Sequence, residues 1–137
     1  MQTAATPPRV LGLYDQPFWD LLAESGRMHL QCCSACGAWR YPPGPACHEC
    51  LSPDCEWKPI TGTGELLSWI IFRKQYLPAY PAPYNVIAVR LDEGPTIISN
   101  LTSDPTLDDS PIGRRVRLTV ARMDDGVALP RFEFADR

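Results

Sequence analysis

The stretch QCCSACGAWRYPPGPACHEC, residues 31–50, decides how this chain folds, because it places two C-x-x-C pairs close together. Cys33 and Cys36 form the first pair, Cys47 and Cys50 form the second, and ten residues separate the two pairs. Two intervening residues let a tight turn aim both sulfurs of a pair at one point, and two such pairs joined by a loop are typical of four-thiolate zinc sites. The spacing therefore predicts a structural Zn²⁺ site on these four cysteines.

The remaining cysteine chemistry leaves alternatives open. Cys32 adjoins a ligand and should point elsewhere, Cys55 lies outside both pairs, and His48 is a substitute ligand that fits less well than a second cysteine. Disulfides and a redox-active C-x-x-C are the other uses of six cysteines. The chain shows no secretory signal pattern, and no apolar run approaches the roughly 18 residues of a membrane span. We therefore expect a soluble, cytoplasmic protein with reduced thiols and no membrane partner.

Composition limits the size of the fold and the class of its partners. The chain has 137 residues, enough for one compact body or two small modules, and a formal net charge of −3. Four thiolates around one divalent ion would add about −2 to that charge. An acidic chain is a poor general binder of phosphate, which makes nucleic acid an unlikely partner.

The stretch DQPFWDLLAESG near the N-terminus predicts a short helix. Asp15 is suited to cap it, Pro17 to its first turn and Gly26 to its end. Phe18 and Trp19 belong to an apolar stripe of this helix. The stripe either packs on the rest of the molecule or faces a partner.

From residue 60 onward the pattern changes to β-strands. Five stretches have strand patterns bounded by turn signals, namely GTGELLSWIIFRKQ, YNVIAVRLDEG, PTIISNLTS, IGRRVRLTVARMDDG and VALPRFEFA. Five short strands of this kind suit a small Greek-key barrel of the OB type. We predict a mainly β chain in three parts: a tail and helix at 1–26, a zinc ribbon at 27–59 and a five-stranded OB-fold barrel at 60–137.

The order of these features resembles a family long catalogued as a domain of unknown function. The resemblance is carried by the helix and then by CSACGAWRYPPGPACHEC, GTGELLSWIIF, PAPYNVIAVRLDEG and IGRRVRL. Members of that family join a rubredoxin-like zinc ribbon to an acyl-CoA-associated OB-fold. The resemblance implies the same architecture here, with the ribbon ligands at Cys33, Cys36, Cys47 and Cys50.

The resemblance also implies an accessory role. Such proteins associate with thiolase-like enzymes, including thiolases, acyltransferases and retro-aldolases, and the partner supplies the catalytic residues. The implied assembly is a hetero-oligomer to whose acyl-CoA site this chain contributes. The residues agree with that role, because a thiolase-type reaction needs a nucleophilic thiol with histidines nearby. The chain has only His29 and His48, and four thiolates would close a zinc shell, so we predict no catalytic residue.

The segment RKQYLPAYPAPYN, residues 73–85, is the predicted partner surface. Tyr76, Tyr80 and Tyr84 offer large contact area, and the prolines among them lower the entropy lost when the segment is ordered. Phe18 and Trp19 are predicted to assist in docking. The alternative is a rigid loop that lies on its own barrel.

Arginines along the fourth barrel strand are the last candidate site. Arg114 and Arg115 are predicted to contact the phosphates of CoA, and the alternative is an ordinary solvated face. A single-stranded nucleic-acid-binding module is the alternative function, because zinc ribbons and OB-folds both occur in nucleic-acid binders. The net acidity and the family resemblance count against it.

Overall fold

The computed structural model describes residues 6–135, so residues 1–5 of the predicted tail lie outside the described part. Its elements in chain order are α1 (Gln16–Ser25), β1 (His29–Cys33), β2 (Trp39–Arg40), β3 (Cys55–Pro59), β4 (Thr63–Phe72), β5 (Tyr84–Leu91), β6 (Thr96–Ser99), β7 (Arg115–Arg122) and β8 (Ala128–Phe134). The first three strands form one sheet and the other five form a second. The chain is mainly β, as the sequence predicts.

Helix α1 lies where its sequence signals place it. Pro17 is in the first turn, and Gly26 follows the last residue with a φ of 70° and donates its N–H to the carbonyl of Leu22 at 3.0 Å. Asp15 occupies the N-cap position, but its side chain makes no capping hydrogen bond. The prediction for Asp15 is therefore wrong, because its φ of −81° and ψ of −33° are already helical, whereas a capping residue usually has β-region angles.

The ribbon is a small antiparallel sheet in the order β2-β1-β3. Strand β1 is central, and its residues from Leu30 to Cys33 are buried. Gln31 pairs with Arg40 on one side, and Cys33 pairs with Cys55 on the other. The third strand, which follows the second cysteine pair, brings that end of the ribbon back alongside the first pair.

The second sheet has the strand order β6-β5-β4-β7-β8, with antiparallel neighbours throughout. It curls until its outer strands meet, where a parallel bridge joins Leu101 to Phe132. At this closure the N–H of Phe132 donates to the carbonyl of Asn100 at 3.0 Å, and the N–H of Thr102 donates to the carbonyl of Phe132 at 2.9 Å. The curled five-stranded sheet is consistent with an OB-fold and confirms the predicted fold class.

A buried asparagine holds the closing segment in place. Asn85, at the start of β5, is 5% exposed. Its Oδ1 accepts the N–H of Leu101 at 2.6 Å, and its Nδ2 donates to the carbonyl of Leu101 at 3.0 Å and to Asp104 Oδ1 at 3.0 Å. One side chain thus satisfies both backbone polar groups of Leu101, as a neighbouring strand would.

The β4–β5 hairpin extends beyond the rest of the barrel. Strand β7 pairs with β4 only from Thr63 to Glu65, and β6 pairs with β5 only from Ile87 to Arg90. Beyond those points β4 and β5 still pair with each other, out to Phe72 and Tyr84. We call residues 70–86 the hairpin arm.

One hydrophobic core joins the helix, the ribbon and the barrel. Phe18 of the helix and Met28 and Leu30 of the ribbon belong to the same buried cluster as Leu66 and Val89 of the barrel. Trp39, Tyr41 and Trp57 pack against that cluster. The three-part division at 26/27 and 59/60 stays a prediction, since the structure gives its parts a common interior.

The described residues include no helix that is both long and apolar enough to cross a bilayer.

Candidate metal centre and partner surface

The two cysteine pairs form knuckles with the same backbone pattern. In the first, the N–H of Cys33 donates to the carbonyl of Ala38 at 2.8 Å, and the N–H of Gly37 donates to the carbonyl of Cys33 at 2.9 Å. In the second, the N–H of Cys47 donates to the carbonyl of Ser52, and the N–H of Leu51 donates to the carbonyl of Cys47, each at 2.9 Å. Gly37 has a φ of 79° and Leu51 a φ of 66°, so each turn needs a left-handed residue after its second cysteine. The repeated turn aims two sulfurs of each pair at a common point.

The four sulfur atoms fit a tetrahedral metal ion. The sulfurs of Cys33, Cys36, Cys47 and Cys50 all lie within 4.8 Å of one another. Cys33 Sγ is 3.5 Å from Cys50 Sγ, and Cys36 Sγ is 3.6 Å from Cys47 Sγ. Metal–sulfur bonds of about 2.3 Å in a tetrahedron require sulfur–sulfur distances of about 3.8 Å. The predicted ligands therefore form a four-cysteine cluster that is arranged for metal binding, and all six cysteines of the chain are free of disulfides.

Electrostatics favour a cation among these sulfurs. The backbone N–H of Cys36 lowers the pKa of the Cys33 thiol to about 6, and the N–H groups of Cys50 and Glu49 lower the pKa of Cys47. For Cys36, the backbone at Ala38 lowers the pKa, but hydrogen bonds with Cys47 and Cys50 outweigh it and raise the pKa to about 12. Four thiolates this close repel one another, so all four can ionise together only around a positive ion.

Two buried side chains hold the loop between the knuckles. Gln31 Nε2 donates to the carbonyl of Gly44 at 3.1 Å, and Gln31 Oε1 accepts the N–H of Gly44 at 2.9 Å. Arg40, which is 4% exposed, donates to the carbonyl of Gly44 at 2.9 Å and to the carbonyl of Ser52 at 3.4 Å. The loop is thereby fixed to β1 and β2, which keeps the second knuckle opposite the first.

The other metal-ligand candidates lie outside the sulfur cluster. Cys32 is buried, and its thiol faces the carbonyl of Gly37 at 3.6 Å. Cys55 is half-buried on β3. His48 Nε2 lies 3.4 Å from Glu49 Oε1 in an exposed pair. Among the described residues, the sulfur cluster therefore consists of the two C-x-x-C pairs alone.

The hairpin arm carries an aromatic cluster in which one ring, that of Tyr76, is exposed. The rings of Phe72 and Tyr84 stack with centroids 5.3 Å apart, and Phe72 meets Tyr76 edge-on at 6.2 Å. Lys74 Nζ lies 5.3 Å from the centroid of the Tyr76 ring. Tyr76 is 62% exposed although its ring is held on one side by these neighbours. This is an ordered apolar surface at the tip of a protruding hairpin.

Internal hydrogen bonds shape the remainder of the arm. The N–H of Tyr80 donates to the carbonyl of Leu77 at 3.1 Å, and Gln75 Oε1 accepts the N–H of Ala82 at 3.2 Å. Tyr80 and Tyr84 are half-buried. The loop is therefore ordered by its own residues, as the rigid-loop interpretation requires, and Tyr76 still faces outward, as a partner surface requires.

The helix residues predicted to assist docking differ in position. Phe18 is 3% exposed and belongs to the core, where its ring lies 5.9 Å from that of Tyr41. This placement corrects the expectation for Phe18, because a ring in the interior is out of reach of another protein. Trp19 is half-buried, and the guanidinium of Arg9 lies 4.4 Å from its ring centroid.

Arg114 and Arg115 already have internal partners. Arg115 forms two hydrogen bonds with the carboxylate of Asp92, at 2.8 and 2.5 Å. Arg114 lies 3.6 Å from Asp109 Oδ2, and its guanidinium stacks 3.7 Å from the ring centroid of Phe134. These contacts engage both arginines within the chain, and their predicted contact with the phosphates of CoA stays a prediction.

Three side chains that shape the candidate sites are not identified by the sequence patterns. Phe72 anchors the aromatic cluster, yet its stretch reads only as a continuous apolar strand. Gln31 and Arg40 hold the ribbon loop, and each is a polar residue within a short strand next to the cysteines. A polar residue within a short strand suggests a buried hydrogen bond, but the spacing of the sequence does not identify Gly44 as the partner of Gln31 and Arg40.

Comparisons with known proteins agree with this architecture. The family model described as the ChsH2 rubredoxin-like zinc ribbon domain matches residues 22–56, and that of the ChsH2 C-terminal OB-fold domain matches residues 57–121. A probable enoyl-CoA hydratase alpha subunit of Thermomonospora curvata is 36% identical over 128 residues. That match covers 93% of this chain but only 40% of the length of the relative.

Two further similarities extend over most of both proteins. A DUF35 domain-containing scaffold protein of Pyrococcus furiosus is 29% identical over 101 residues, which are 69% of this chain and 72% of that protein. A chain of the solved Ltp2-ChsH2(DUF35) aldolase superposes with a TM-score of 0.82 and 32% identity, covering 93% of this chain and 99% of that one. The chain therefore belongs to the ChsH2 (DUF35) family, which confirms the resemblance seen in its sequence.

Proposed function

We propose that this chain is a non-catalytic accessory subunit that binds structural zinc and docks on a thiolase-like acyl-CoA enzyme. The observation that carries the proposal is the similarity to a chain of the Ltp2-ChsH2(DUF35) aldolase along 99% of that chain. The scaffold relative from Pyrococcus furiosus points to the same class of role. In this proposal the partner supplies the catalytic residues, and the two chains form a hetero-oligomer.

Zinc is the ion that suits the ribbon. Four cysteine sulfurs supply a complete tetrahedral shell, which leaves no position for water or substrate. The chemistry that zinc supplies at such a site is structural, since it binds thiolates tightly and has no redox activity. Cys33, Cys36, Cys47 and Cys50 would hold it.

The hairpin arm is the proposed docking surface. Tyr76 is exposed beside Phe72 and Tyr84, and the arm extends beyond the pairing of its neighbouring strands. Pre-ordered aromatic side chains make good anchors because little entropy is lost when they bind. Trp19 is a second candidate, at the half-buried edge of α1. Tyr80 contributes by shaping the loop that presents Tyr76.

The name of the hydratase relative does not extend to this chain. The match covers 40% of that protein, so we assign hydratase chemistry to no residue here. We propose instead that the chain contributes to an acyl-CoA site only within the complex.

Charge pairing weighs against the nucleic-acid alternative. Arg90, Arg115 and Arg117 on the barrel surface are each bonded to a carboxylate, from Glu65, Asp92 and Glu133 respectively. A groove that tracks a phosphate backbone needs unpaired positive charge, and the chain carries a net charge of −3.

Co-expression with candidate thiolase-like enzymes of the same organism tests the proposal. We expect the two chains to copurify at a fixed ratio, and acyl-CoA turnover to require the partner. The chain purified alone should turn over no acyl-CoA. Turnover by the isolated chain that a point substitution abolishes would contradict the proposal, as would tight, salt-sensitive binding of a single-stranded oligonucleotide with no partner retained.

A further inference from the structure

A cavity of about 550 Å³ lies beneath the loop of the hairpin arm. Its walls come from the arm, from β5 and β6, and from β8, through Tyr80, Tyr84, Val86, Ile98, Leu129 and Arg131 among others. Ligand sites for small organic molecules commonly have volumes of about 300–1,000 Å³. The cavity is therefore large enough for a molecule of one or two rings.

The position of the cavity corresponds to the ligand face of other OB-folds. These barrels bind oligonucleotides and oligosaccharides on the face of their second and third strands, between the first–second and fourth–fifth connections. Here the second and third barrel strands are β5 and β6, and both wall the cavity. Tyr80 comes from the first–second connection, and Met123 comes from the fourth–fifth connection.

Arg131 contributes a positive charge to the lining of the cavity. Its guanidinium donates to the carbonyl of Pro130 at 3.1 Å, and no carboxylate within residues 6–135 forms an ion pair with it. Arg90, Arg115 and Arg117, in contrast, each have an acidic partner on the barrel. Burial lowers the pKa of Arg131, although the guanidinium remains charged at neutral pH.

Part of the remaining lining is suited to an apolar body, and Asn85, Ser99, Asn100 and Asp104 are its polar members. Val86, Ile98, Leu129 and Met123 provide aliphatic surface, and Tyr80 and Tyr84 provide aromatic surface. Asp104 also borders the cavity, where its Oδ1 accepts a hydrogen bond from Asn85 at 3.0 Å. A guanidinium set in such a wall matches a carboxylate, which it can bind through two parallel hydrogen bonds.

We propose that this cavity is a binding site for a small organic acid, with an apolar body against the aliphatic and aromatic wall and its carboxylate on Arg131. All of the lining belongs to this chain, so the site does not depend on the proposed partner. The arm that walls the cavity is also the proposed docking surface, so an occupant would lie next to the interface.

Titration of the ¹⁵N-labelled full chain with 3-phenylpropanoate tests the site. We expect saturable shifts at the backbone amides of Val86, Ile98 and Leu129. The uncharged 3-phenylpropanamide has the same shape without the charge, and we expect it to bind at least about tenfold more weakly. Equal binding of the acid and the amide, or no shift at about 10 mM acid, would overturn the proposal.

Matched arginine variants test whether the Arg131 guanidinium binds the carboxylate of the acid. Arg131→Gln should weaken binding of the acid by at least about tenfold, and Arg131→Lys should restore part of the loss. Arg90→Gln removes the same charge from β5 outside the cavity and should leave the affinity unchanged. If Arg131→Gln and Arg90→Gln weaken binding of the acid equally, the attraction is due to overall charge, and the proposed site is overturned. If Arg131→Gln fails to fold, the comparison of acid with amide on the wild-type chain decides alone.

Discussion

Gly64 of β4 lies directly against the backbone of Arg90 on β5. A β-carbon at Gly64 would clash with the carbonyl oxygen of Arg90 and approach Val89 Cγ1 to 2.9 Å. Gly64 also pairs with Val116 on its other side, at the centre of the barrel sheet. The glycine in the sequence GTGELL is therefore required by the close approach of two strands rather than by a turn.

Gly64→Ala should lower the free energy of unfolding by about 1–3 kcal/mol, because backbone atoms must move to admit the methyl group. Chemical denaturation of the zinc-loaded chain measures this change. Gly44→Ala is the control, since apart from its two chain neighbours nothing lies within 4 Å of the position that a β-carbon at Gly44 would occupy. Equal stability of the two variants would contradict the packing argument.

Loss of the metal should destabilise the whole chain and not the ribbon alone. Phe18, Met28 and Leu30 share one core with the barrel, so we expect a chelator to lower the melting temperature in a single transition. Elemental analysis should find one zinc per chain in the wild type and none in Cys47→Ser. Cys55→Ser, outside the sulfur cluster, should retain zinc. A metal-free wild-type chain with three disulfides would contradict the site.

Tyr76→Ala should weaken the proposed partner complex about thirtyfold, which corresponds to the loss of about 2 kcal/mol typical of a hot-spot residue. Tyr80→Ala should have a smaller effect, because Tyr80 is half-buried. Leu107→Ala removes an apolar side chain that is 87% exposed outside the arm and serves as the control. Binding isotherms give the affinities, and zinc content and melting should match the wild type. Unchanged affinity in both tyrosine variants would show that the docking surface lies outside the arm, and Trp19 would then be the next candidate.

Asp92 provides a prediction about pH. Hydrogen bonds from the Arg115 guanidinium and the Thr63 hydroxyl lower the pKa of this carboxyl. A lowered pKa stabilises the fold above the unfolded value of about 3.9, and this contribution is lost as the pH falls through the lower folded pKa. In Arg115→Gln the pKa of Asp92, followed by NMR of its carboxyl carbon, should rise. The free energy of unfolding of Arg115→Gln should be lower than that of the wild type at neutral pH, and this difference should shrink near pH 2.

Arg117→Gln is the matched control for that measurement. It removes the same charge from β7, but Arg117 pairs with Glu133 and not with Asp92. The pKa of Asp92 should therefore stay at its wild-type value. An equal rise in both variants would attribute the shift to net charge rather than to the Arg115 hydrogen bonds.

Local patterns in the sequence predicted much of this structure. The turn geometry of Cys33-x-x-Cys36 and Cys47-x-x-Cys50 is set by neighbouring residues, and each barrel strand has its own apolar pattern and turn signal. The metal site and the five strands could therefore be predicted from spacing. Gly26 likewise ends α1 through its own backbone angle.

Contacts between distant segments could not be predicted in the same way. The apolar stripe of α1 does not reveal that Phe18 enters the core while Trp19 remains at its edge. The alternation of β7 identifies Arg115 as outward-facing, but its partner Asp92 follows a different strand. The stretch YNVIAVRLDEG places Asn85 on a strand, but it does not reveal that the side chain hydrogen-bonds both backbone polar groups of Leu101. Each of these depends on which segments the curled sheet brings together.

The hairpin arm of this chain could change in length during evolution without disturbing the barrel. Its outer pairs, such as Ile70–Val86 and Phe72–Tyr84, have no pairing partner on β7 or β6. Because side chains alternate with a period of two, inserting two residues in each strand would lengthen the arm and leave the barrel register intact. Insertions in a surface loop also have a small energetic cost. Selection could therefore change the reach of the arm, which is the proposed docking surface, while the cysteine cluster and the barrel interior stay unaltered.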